Sequence, residues 1–376
     1  MSAAVQTMAG LHATTARKPE HRNEILCVQA LRGMAVLVVL VVHVEDMANH
    51  IPQFAHLHSW YSRYIGYSAP DLFFVISGFI MSYITLGMPF RPKQWLIGRF
   101  VRIYPMYFLF SALALLIYLW NPYRPVMGSG PHDAWTILAS FMVLPSKALP
   151  LLFVGWTLQH EIVFYAIVFV VASTMPTRML VPVMLGLSVA GLIRWILVNH
   201  YAMPDWRWTF PSLYLWQFTM GTMVYRYRAW LGRLGVWPAA GLAVLAAIGG
   251  ILFAHAGAMG SEEPLRVLLF GACYTFILIA LLNREDRLKA AHSFDPTHRS
   301  FAVRLGDASY SMYLCHPFVL ASFGHVGERL DLSGWVADLW LPFAYVSVVA
   351  CGMVLYQILE KPLLSAGRRL LMRKPA

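Results

Sequence analysis

Residues 26–44 read LCVQALRGMAVLVVLVVHV, an apolar run long enough to cross a bilayer as one α-helix. Arg32 and His43 stand eleven residues apart within it. At about 3.6 residues per turn this is close to three turns, so both side chains project from one face, roughly 16 Å apart along the axis. Ionisable side chains are costly inside a membrane and by default mark a functional site. The stretch therefore predicts a membrane helix with a functional face.

The composition extends this prediction to the whole chain. Of the 376 residues, 59% are hydrophobic and 12% are charged, whereas ordinary globular domains carry about 25% charged residues. Many separate apolar runs approach the roughly 20 residues that a spanning helix needs. We predict an all-α, polytopic membrane helical bundle rather than a β-barrel, whose strands would alternate polar and apolar residues.

The apolar runs predict about ten transmembrane helices, at residues 26–44, 67–86, 101–120, 155–174, 179–198, 211–225, 236–256, 264–282, 306–325 and 336–359. Residues 134–152 are also apolar but contain Pro145, Lys147 and Pro150. Lys and Arg concentrate in cytoplasmic loops, and a span at 134–152 would move the later basic clusters outside. We therefore expect a re-entrant or interfacial segment on the outer side, and both termini in the cytoplasm.

Three units follow from this pattern: a disordered cytoplasmic arm at 1–24 without a signal-peptide core, a transmembrane domain at 25–362, and a basic cytoplasmic tail at 363–376. The net charge of +11 comes from basic residues in short loops, so we expect no nucleic-acid partner. The four cysteines show no CxxC spacing, and no P-loop, GxSxG or HExxH motif is present. We expect no metal site.

A second polar face appears in GWTLQHEIVFY at residues 155–165. Thr157, Glu161 and Tyr165 recur every four residues and share a face. A buried glutamate needs a partner or becomes neutral. If the helix runs inward from the outer side, Glu161 lies at about the depth of His43, and we expect the two to pair as a base and its orienting group.

Further polar residues stand in other apolar runs, each with two interpretations. Arg99 and Arg102 in RFVRIYP are either positive-inside anchors or a phosphate clamp. Asp71 and Ser77 open another span, where Asp71 either caps the helix or supports the site. The ninth predicted span places Ser309, Tyr313 and His316 on one face, and His316 is either a packing residue or part of the site.

Aromatic and histidine side chains are frequent in the predicted outer loops. They form either an interfacial belt or a platform on which sugar rings stack, and the pattern does not separate the two. The set comprises His56, His58, Trp60, Tyr61, Tyr123, His132, Trp135, Trp206 and Trp208.

Taken together, six segments resemble the integral-membrane acyltransferase 3 family. They are QALRGMAVLVVLVVHV (29–44), PDLFFVISGFIM (70–81), RFVRIYPMYF (99–108), GWTLQHEIVFY (155–165), LGDASYSMYLCHPF (305–318) and LEKP (359–362). Each is weak alone, but six in order over nearly the whole chain are specific. The wording of the second and fourth is most similar to the exopolysaccharide- and sugar-acetylating branch.

The resemblance implies a ten-helix core that moves an acyl group, commonly acetyl from acetyl-CoA, to a hydroxyl of a sugar or related acceptor. By match to the family motifs, His43 and Glu161 are the expected catalytic residues. Arg32, Arg99 and Arg102 are expected to bind acetyl-CoA or another acyl-CoA. The residues expected to support the substrate are Asp71, Ser77, Trp156, Tyr313 and His316.

This assignment agrees with the helix geometry. The phosphates of cytoplasmic CoA would meet the inner arginines, and its thin pantetheine arm would reach His43, which acts as general base or as acyl carrier. Expected partners are acyl-CoA, a saccharide or lipid-linked oligosaccharide acceptor, the bilayer of the inner (plasma) membrane and, as an open alternative, further copies of the chain. One rival hypothesis is a secondary transporter with a proton relay through His43, Glu161 and His316. The sequence shows no inverted repeat, which argues against it. The other rival is a non-catalytic scaffold.

Overall fold

The computed structural model describes residues 25–49, 68–87, 89–121, 132–146, 148–201, 203, 210–255, 263–295, 299–330, 332 and 334–371. These residues form helices and connecting turns, with no β-strand among them. The predicted all-α class is therefore confirmed. The predicted arm at 1–24 lies outside the described residues, as do most of the outer-loop aromatic residues apart from His132 and Trp135.

Twelve helices organise the described part of the chain. They are α1 (Leu26–Asn49), α2 (Ala69–Leu86), α3 (Pro92–Trp120), α4 (Ala134–Met142), α5 (Gly155–Thr174), α6 (Leu180–His200), α7 (Leu215–Arg226), α8 (Val236–His255), α9 (Pro264–Ala290), α10 (Phe301–Leu330), α11 (Gly334–Leu355) and α12 (Lys361–Leu371). Single turns at Thr177–Met179, Arg228–Leu231 and Gly232–Leu234 connect some of them, and a π-helical turn at Tyr356–Glu360 joins α11 to α12.

Eight helices in the described residues are long and apolar enough to cross a membrane. They correspond to eight of the ten predicted spans. The other two predicted spans are α7, which has only 12 residues, and α10, which has 30 residues but is rich in polar side chains. Most polar side chains in the middle of α10 are buried between helices rather than exposed. The hydropathy of α10 is therefore low although the helix lies inside the bundle. The chain is thus polytopic, and the count of ten remains a prediction.

The segment at 134–152 contains only the nine-residue helix α4. At about 1.5 Å per residue it is roughly 14 Å long, less than half of the ~30 Å hydrocarbon core. Asp133 caps it, because its carboxylate accepts a hydrogen bond from the Thr136 N–H at 2.7 Å. Hydrogen bonds from Thr136 hold the pKa of this carboxyl below its usual range. The length agrees with a segment that does not span.

Helix α1 packs closely on α10 because glycine stands at their crossing. A Cβ atom at Gly306 would collide with the carbonyl group of Gln29, and one at Gly33 would lie 2.7 Å from the carbonyl oxygen of Ala302. Glu285 of α9 accepts a hydrogen bond at 2.7 Å from the Cys27 N–H in the first turn of α1. A carboxylate there complements the helix dipole. These contacts fix where Arg32 and His43 face.

The chain before α5 folds into the interior instead of remaining at the surface. Leu151, Leu152 and Val154 are each at most 2% exposed. The Tyr313 hydroxyl of α10 donates a hydrogen bond at 2.9 Å to the Val154 carbonyl. Helix α5 therefore begins beside the middle of α10.

Candidate active site

A polar cavity of about 120 Å³ lies between α1, α2, α3, α5 and α10. Along α2 it extends from Pro70 to Met81, eleven residues or roughly 16 Å of helix. Most of the predicted site residues line it: Arg32, Ser77, Arg99, Arg102, Glu161 and Tyr313. Residues from five separate segments of the sequence therefore meet in one space.

Three arginines form one end of this cavity, which we call the arginine end: Arg32, Arg99 and Arg102. Arg102 pairs with Glu360 of the π-helical turn, Nη1 to Oε1 at 2.5 Å. Ser311 of α10 donates to the other oxygen of Glu360 at 2.6 Å. Glu360 is fully buried, so this ion pair holds the end of α11 against α3 and α10.

The other two guanidinium groups have weaker contacts. Arg32 reaches the Gln29 side chain at 3.4 Å, and Arg99 contacts the Met81 sulfur at 4.0 Å and the Tyr165 hydroxyl. Among the described residues no carboxylate lies within ion-pair distance of either group. Guanidinium groups match phosphate oxygens in charge and geometry. The arginine end therefore presents two such groups, those of Arg32 and Arg99, to the cavity.

The carboxylate of Glu161 lies in the cavity wall. It accepts a hydrogen bond from Ser77 at 2.8 Å and another from Tyr165. One turn earlier, the hydroxyl groups of Thr157 and Tyr313 are 2.8 Å apart. The predicted face of Thr157, Glu161 and Tyr165 is therefore confirmed, since all three line the cavity.

The predicted site residues His43 and His316 are not among the residues that line the cavity. The ring of His43 is stacked on that of His316, with centroids 4.9 Å apart and 23° between planes. His316 is fully buried and lies 5.7 Å from the Tyr313 ring. We call His43 and His316 the histidine end of the site. Asp46 is 3.4 Å from His43 Nδ1, and Phe153 contacts the same imidazole edge-on at 5.3 Å.

The expected pair of Glu161 and His43 is wrong. Glu161 is hydrogen-bonded to Ser77 and Tyr165, and the carboxylate beside His43 is Asp46. The reason is the depth at which α5 starts. Phe153, just before α5, already contacts His43, so Glu161 lies about 10 Å of helical rise beyond it.

Two predicted supporting residues, Asp71 and Trp156, do not line the cavity. Asp71 does not cap α2; its fully buried carboxylate pairs with Arg266 of α9, with Nη1 to Oδ2 at 3.1 Å. Trp156 packs among aromatic rings, 5.7 Å from both His160 and Tyr214.

Sequence reasoning missed three charged residues. Glu360 belongs to the LEKP segment, for whose carboxylate the family resemblance implies no role. Asp46 stands three residues after His43, a spacing that places both on one helix face. Arg266 is a lone arginine inside a predicted span, and such a residue calls for a partner. In the part of the chain that the structure describes, no three His, Cys, Asp or Glu side chains form a group that could hold a metal.

Comparison with known proteins decides the family. Residues 25–357 match the family described as "Acyltransferase domain". The chain belongs to this acyltransferase 3 family. It is thus an acyltransferase, and its eight apolar helices make it an integral, multi-pass membrane protein.

Two relatives of this acyltransferase are informative. It is 30% identical over 313 residues to the exopolysaccharide production protein ExoZ of Rhizobium meliloti (strain 1021). The aligned region covers 81% of this chain and 91% of ExoZ. It is 24% identical over 369 residues to the acyltransferase MdmB of Streptomyces mycarofaciens. The aligned region covers 90% of this chain and 92% of MdmB. No solved structure matches the chain.

Proposed function

We propose that this membrane acyltransferase moves an acetyl group from acetyl-CoA to a hydroxyl of a saccharide. The observation that carries the proposal is the polar cavity with two guanidinium groups at one end, Arg32 and Arg99, that have no carboxylate partner among the described residues. The imidazole of His43 is stacked on that of His316, which lies 5.7 Å from the ring of Tyr313 in the cavity lining. The arginine end thus offers positive charge to an anionic donor, and the histidine end offers a group that accepts a proton.

The size of the cavity limits what enters it. Pockets for whole drug-sized ligands measure about 300–1,000 Å³, and this one measures about 120 Å³. It fits a thin arm rather than a nucleotide, so Arg32, Arg99 and Arg102 would hold the phosphates of CoA at the mouth. The donor, when bound, supplies the acyl group as a thioester.

His43 is proposed to take the proton from the acceptor hydroxyl. Asp46 Oδ2 lies 3.4 Å from His43 Nδ1, without a hydrogen bond between them, so Asp46 is proposed to act on the imidazole through its charge, and Nε2 is proposed to take the proton. General-base catalysis of this kind is worth typically about 10²–10⁴-fold in rate. An acyl group carried on His43 would use the same nitrogen, and the experiment below separates the two.

The saccharide acceptor is inferred from ExoZ, whose name places it in exopolysaccharide production. A free polysaccharide and a lipid-linked oligosaccharide are both chemically suitable acceptors, and a location in the inner (plasma) membrane would give access to cytoplasmic acetyl-CoA. The match to a family of acyltransferases argues against the transporter hypothesis.

Purified protein incubated with radiolabelled acetyl-CoA and candidate saccharides tests the proposal. Label in the saccharide supports it, and succinyl-CoA and butyryl-CoA in parallel define the acyl group. Label that stays on wild-type protein without acceptor, and is absent from His43→Ala, indicates the carrier route. If no saccharide accepts label while another class of hydroxyl compound does, the saccharide proposal is wrong.

A further inference from the structure

Arg32 is held by a neighbouring side chain that does not itself line the polar cavity. Gln29 stands three residues earlier on α1, a spacing that places the two side chains on one face of the helix. Its Oε1 atom accepts a hydrogen bond from Arg32 Nη1 at 3.4 Å, and its Nε2 atom donates one to Asp307 Oδ1 of α10 at 3.3 Å. Gln29 therefore links the guanidinium group of Arg32 to a carboxylate on another helix.

The chemistry of the three groups fixes the direction of this link. A guanidinium group only donates hydrogen bonds, and an ionised carboxylate only accepts them. The amide of Gln29 can bond to both groups only with its oxygen toward Arg32 and its nitrogen toward Asp307. The reversed amide would place donor against donor and acceptor against acceptor. Asp307 therefore keeps the amide oxygen of Gln29 directed at Arg32.

The helix backbones hold Gln29 beside Asp307. A Cβ atom at Gly306 would collide with the carbonyl group of Gln29, so α1 and α10 touch at the residue next to Asp307. Val28 and Leu31 of α1 are 1% and 4% exposed, which fixes the rotation of this turn of α1. The link between Gln29 and Asp307 is thus set by the packing of the two helices.

The negative charge of Asp307 is balanced by a different arginine. Arg299 Nη2 lies 3.0 Å from Asp307 Oδ1, whereas Arg32 is bonded to the neutral amide of Gln29. A carboxylate in the place of that amide would neutralise the guanidinium group. The amide orients Arg32 and leaves its full positive charge for an anion in the cavity.

We propose that Gln29 and Asp307 are positioning residues that orient the Arg32 guanidinium toward the donor phosphates without neutralising its charge. The proposal rests on the proposed function, because it takes CoA as the anion at Arg32. Neither Gln29 nor Asp307 lines the cavity, so both act through Arg32 rather than on the donor itself.

The Kd for CoA, measured by calorimetry on the full-length protein, tests this role. Gln29→Leu keeps the approximate volume of the side chain and removes both hydrogen bonds. Gln217→Leu is the matched control, because Gln217 likewise donates at 3.3 Å, to the Val267 carbonyl, and does not line the cavity. Each change is made in the wild-type protein and in Arg32→Gln.

We expect Gln29→Leu to raise Kd about threefold to tenfold, as the loss of one hydrogen bond allows. The KM for acetyl-CoA should rise by the same factor while kcat stays within about twofold, because the chemical step is not touched. Gln217→Leu should leave Kd unchanged. In Arg32→Gln, the further change Gln29→Leu should have no effect, because the residue through which it acts is gone.

A second variant decides if Gln29→Leu does not fold. Asp307→Asn keeps the shape and removes the charge that directs the amide, so it should raise Kd about twofold to fivefold, and only where Arg32 is present. Asp286→Asn is its control, because Asp286 also pairs with an arginine, Arg228, and should leave Kd unchanged.

The outcomes separate this proposal from the proposed function. A raised Kd in Arg32→Gln, with no effect of Gln29→Leu or Asp307→Asn on the wild-type protein, would overturn the positioning role alone. An equal effect of Gln29→Leu with and without Arg32 would overturn it as well. An unchanged Kd in Arg32→Gln would contradict CoA binding at the arginine end, and the positioning role with it.

Discussion

The imidazole rings of His43 and His316 are stacked at 4.9 Å, although one belongs to α1 and the other to α10. The close approach of these helices at Gly33 and Gly306 brings the two rings together. Neither ring nitrogen of His316 makes a hydrogen bond of normal geometry to the described residues. Because a buried polar atom without such a bond is costly, we predict that His316 acts beside His43.

His316→Phe should reduce turnover at least about tenfold with little change in KM for acetyl-CoA. Phenylalanine keeps an aromatic ring on His43 but removes both nitrogens, so the loss reports on proton handling. The measurement is steady-state kinetics with purified protein. Phe153→Leu is the control, because it removes the edge-on contact with His43 and leaves both imidazoles. An equal loss in the two variants would mean that His316 serves only packing.

Glu360→Gln should lower the free energy of unfolding by about 1–3 kcal/mol, since it leaves Arg102 without its charged partner. Arg102 is 23% exposed, which keeps the cost below that of a fully buried pair. Thermal unfolding in detergent measures this. Glu360→Gln combined with Arg102→Gln should cost less than the sum of the single changes. Strict additivity would show that the pair is not coupled.

Asp71→Asn should act on stability rather than on turnover. The carboxylate is fully buried against Arg266, and breaking a buried pair costs about 3–5 kcal/mol. We therefore expect a lower melting temperature but a normal kcat per folded molecule. Active-site titration combined with thermal unfolding separates the two quantities. A fall in kcat with unchanged stability would show instead that Asp71 acts at the substrate site.

Cysteine labelling tests the predicted topology. Ala148→Cys lies in the exposed segment after α4, and Ser293→Cys lies in an exposed turn after α9. In intact cells a membrane-impermeant maleimide should label the first and not the second, with the wild-type cysteines as background. Labelling of the second, or of both, would contradict the assignment of basic loops to the cytoplasm.

The sequence predicted the helices well because length and apolar content determine a span. Helix α5 begins at Gly155 and ends at Thr174, as the apolar run indicated. Faces were also predicted correctly, since the spacing of Thr157, Glu161 and Tyr165 places them together on any regular helix. Local periodicity is independent of how helices pack.

Depth within the bundle could not be predicted in the same way. The buried turn at Leu151 and Leu152 draws the start of α5 inward, and no local pattern reports that displacement. The partners Glu360 and Arg266 are likewise 258 and 195 residues from Arg102 and Asp71. Contacts over such separations depend on tertiary packing, so the pairing of Glu161 was assigned to the wrong residue.

The central claim is that the arginine end binds the donor and the histidine end performs the chemistry. The most direct test is the Kd for CoA, measured by calorimetry on Arg99→Gln, Arg32→Gln and His43→Ala. Arg91→Gln is the control, because Arg91 is exposed and is not among the residues that line the cavity.

Loss of a charge-assisted contact is worth roughly 1.5–3 kcal/mol, so each cavity arginine variant should raise Kd about tenfold to a hundredfold. His43→Ala should bind CoA like the wild type and transfer no acetyl group, and Arg91→Gln should match the wild type in both. Unchanged Kd in both Arg99→Gln and Arg32→Gln, or full transfer by His43→Ala, would contradict the account.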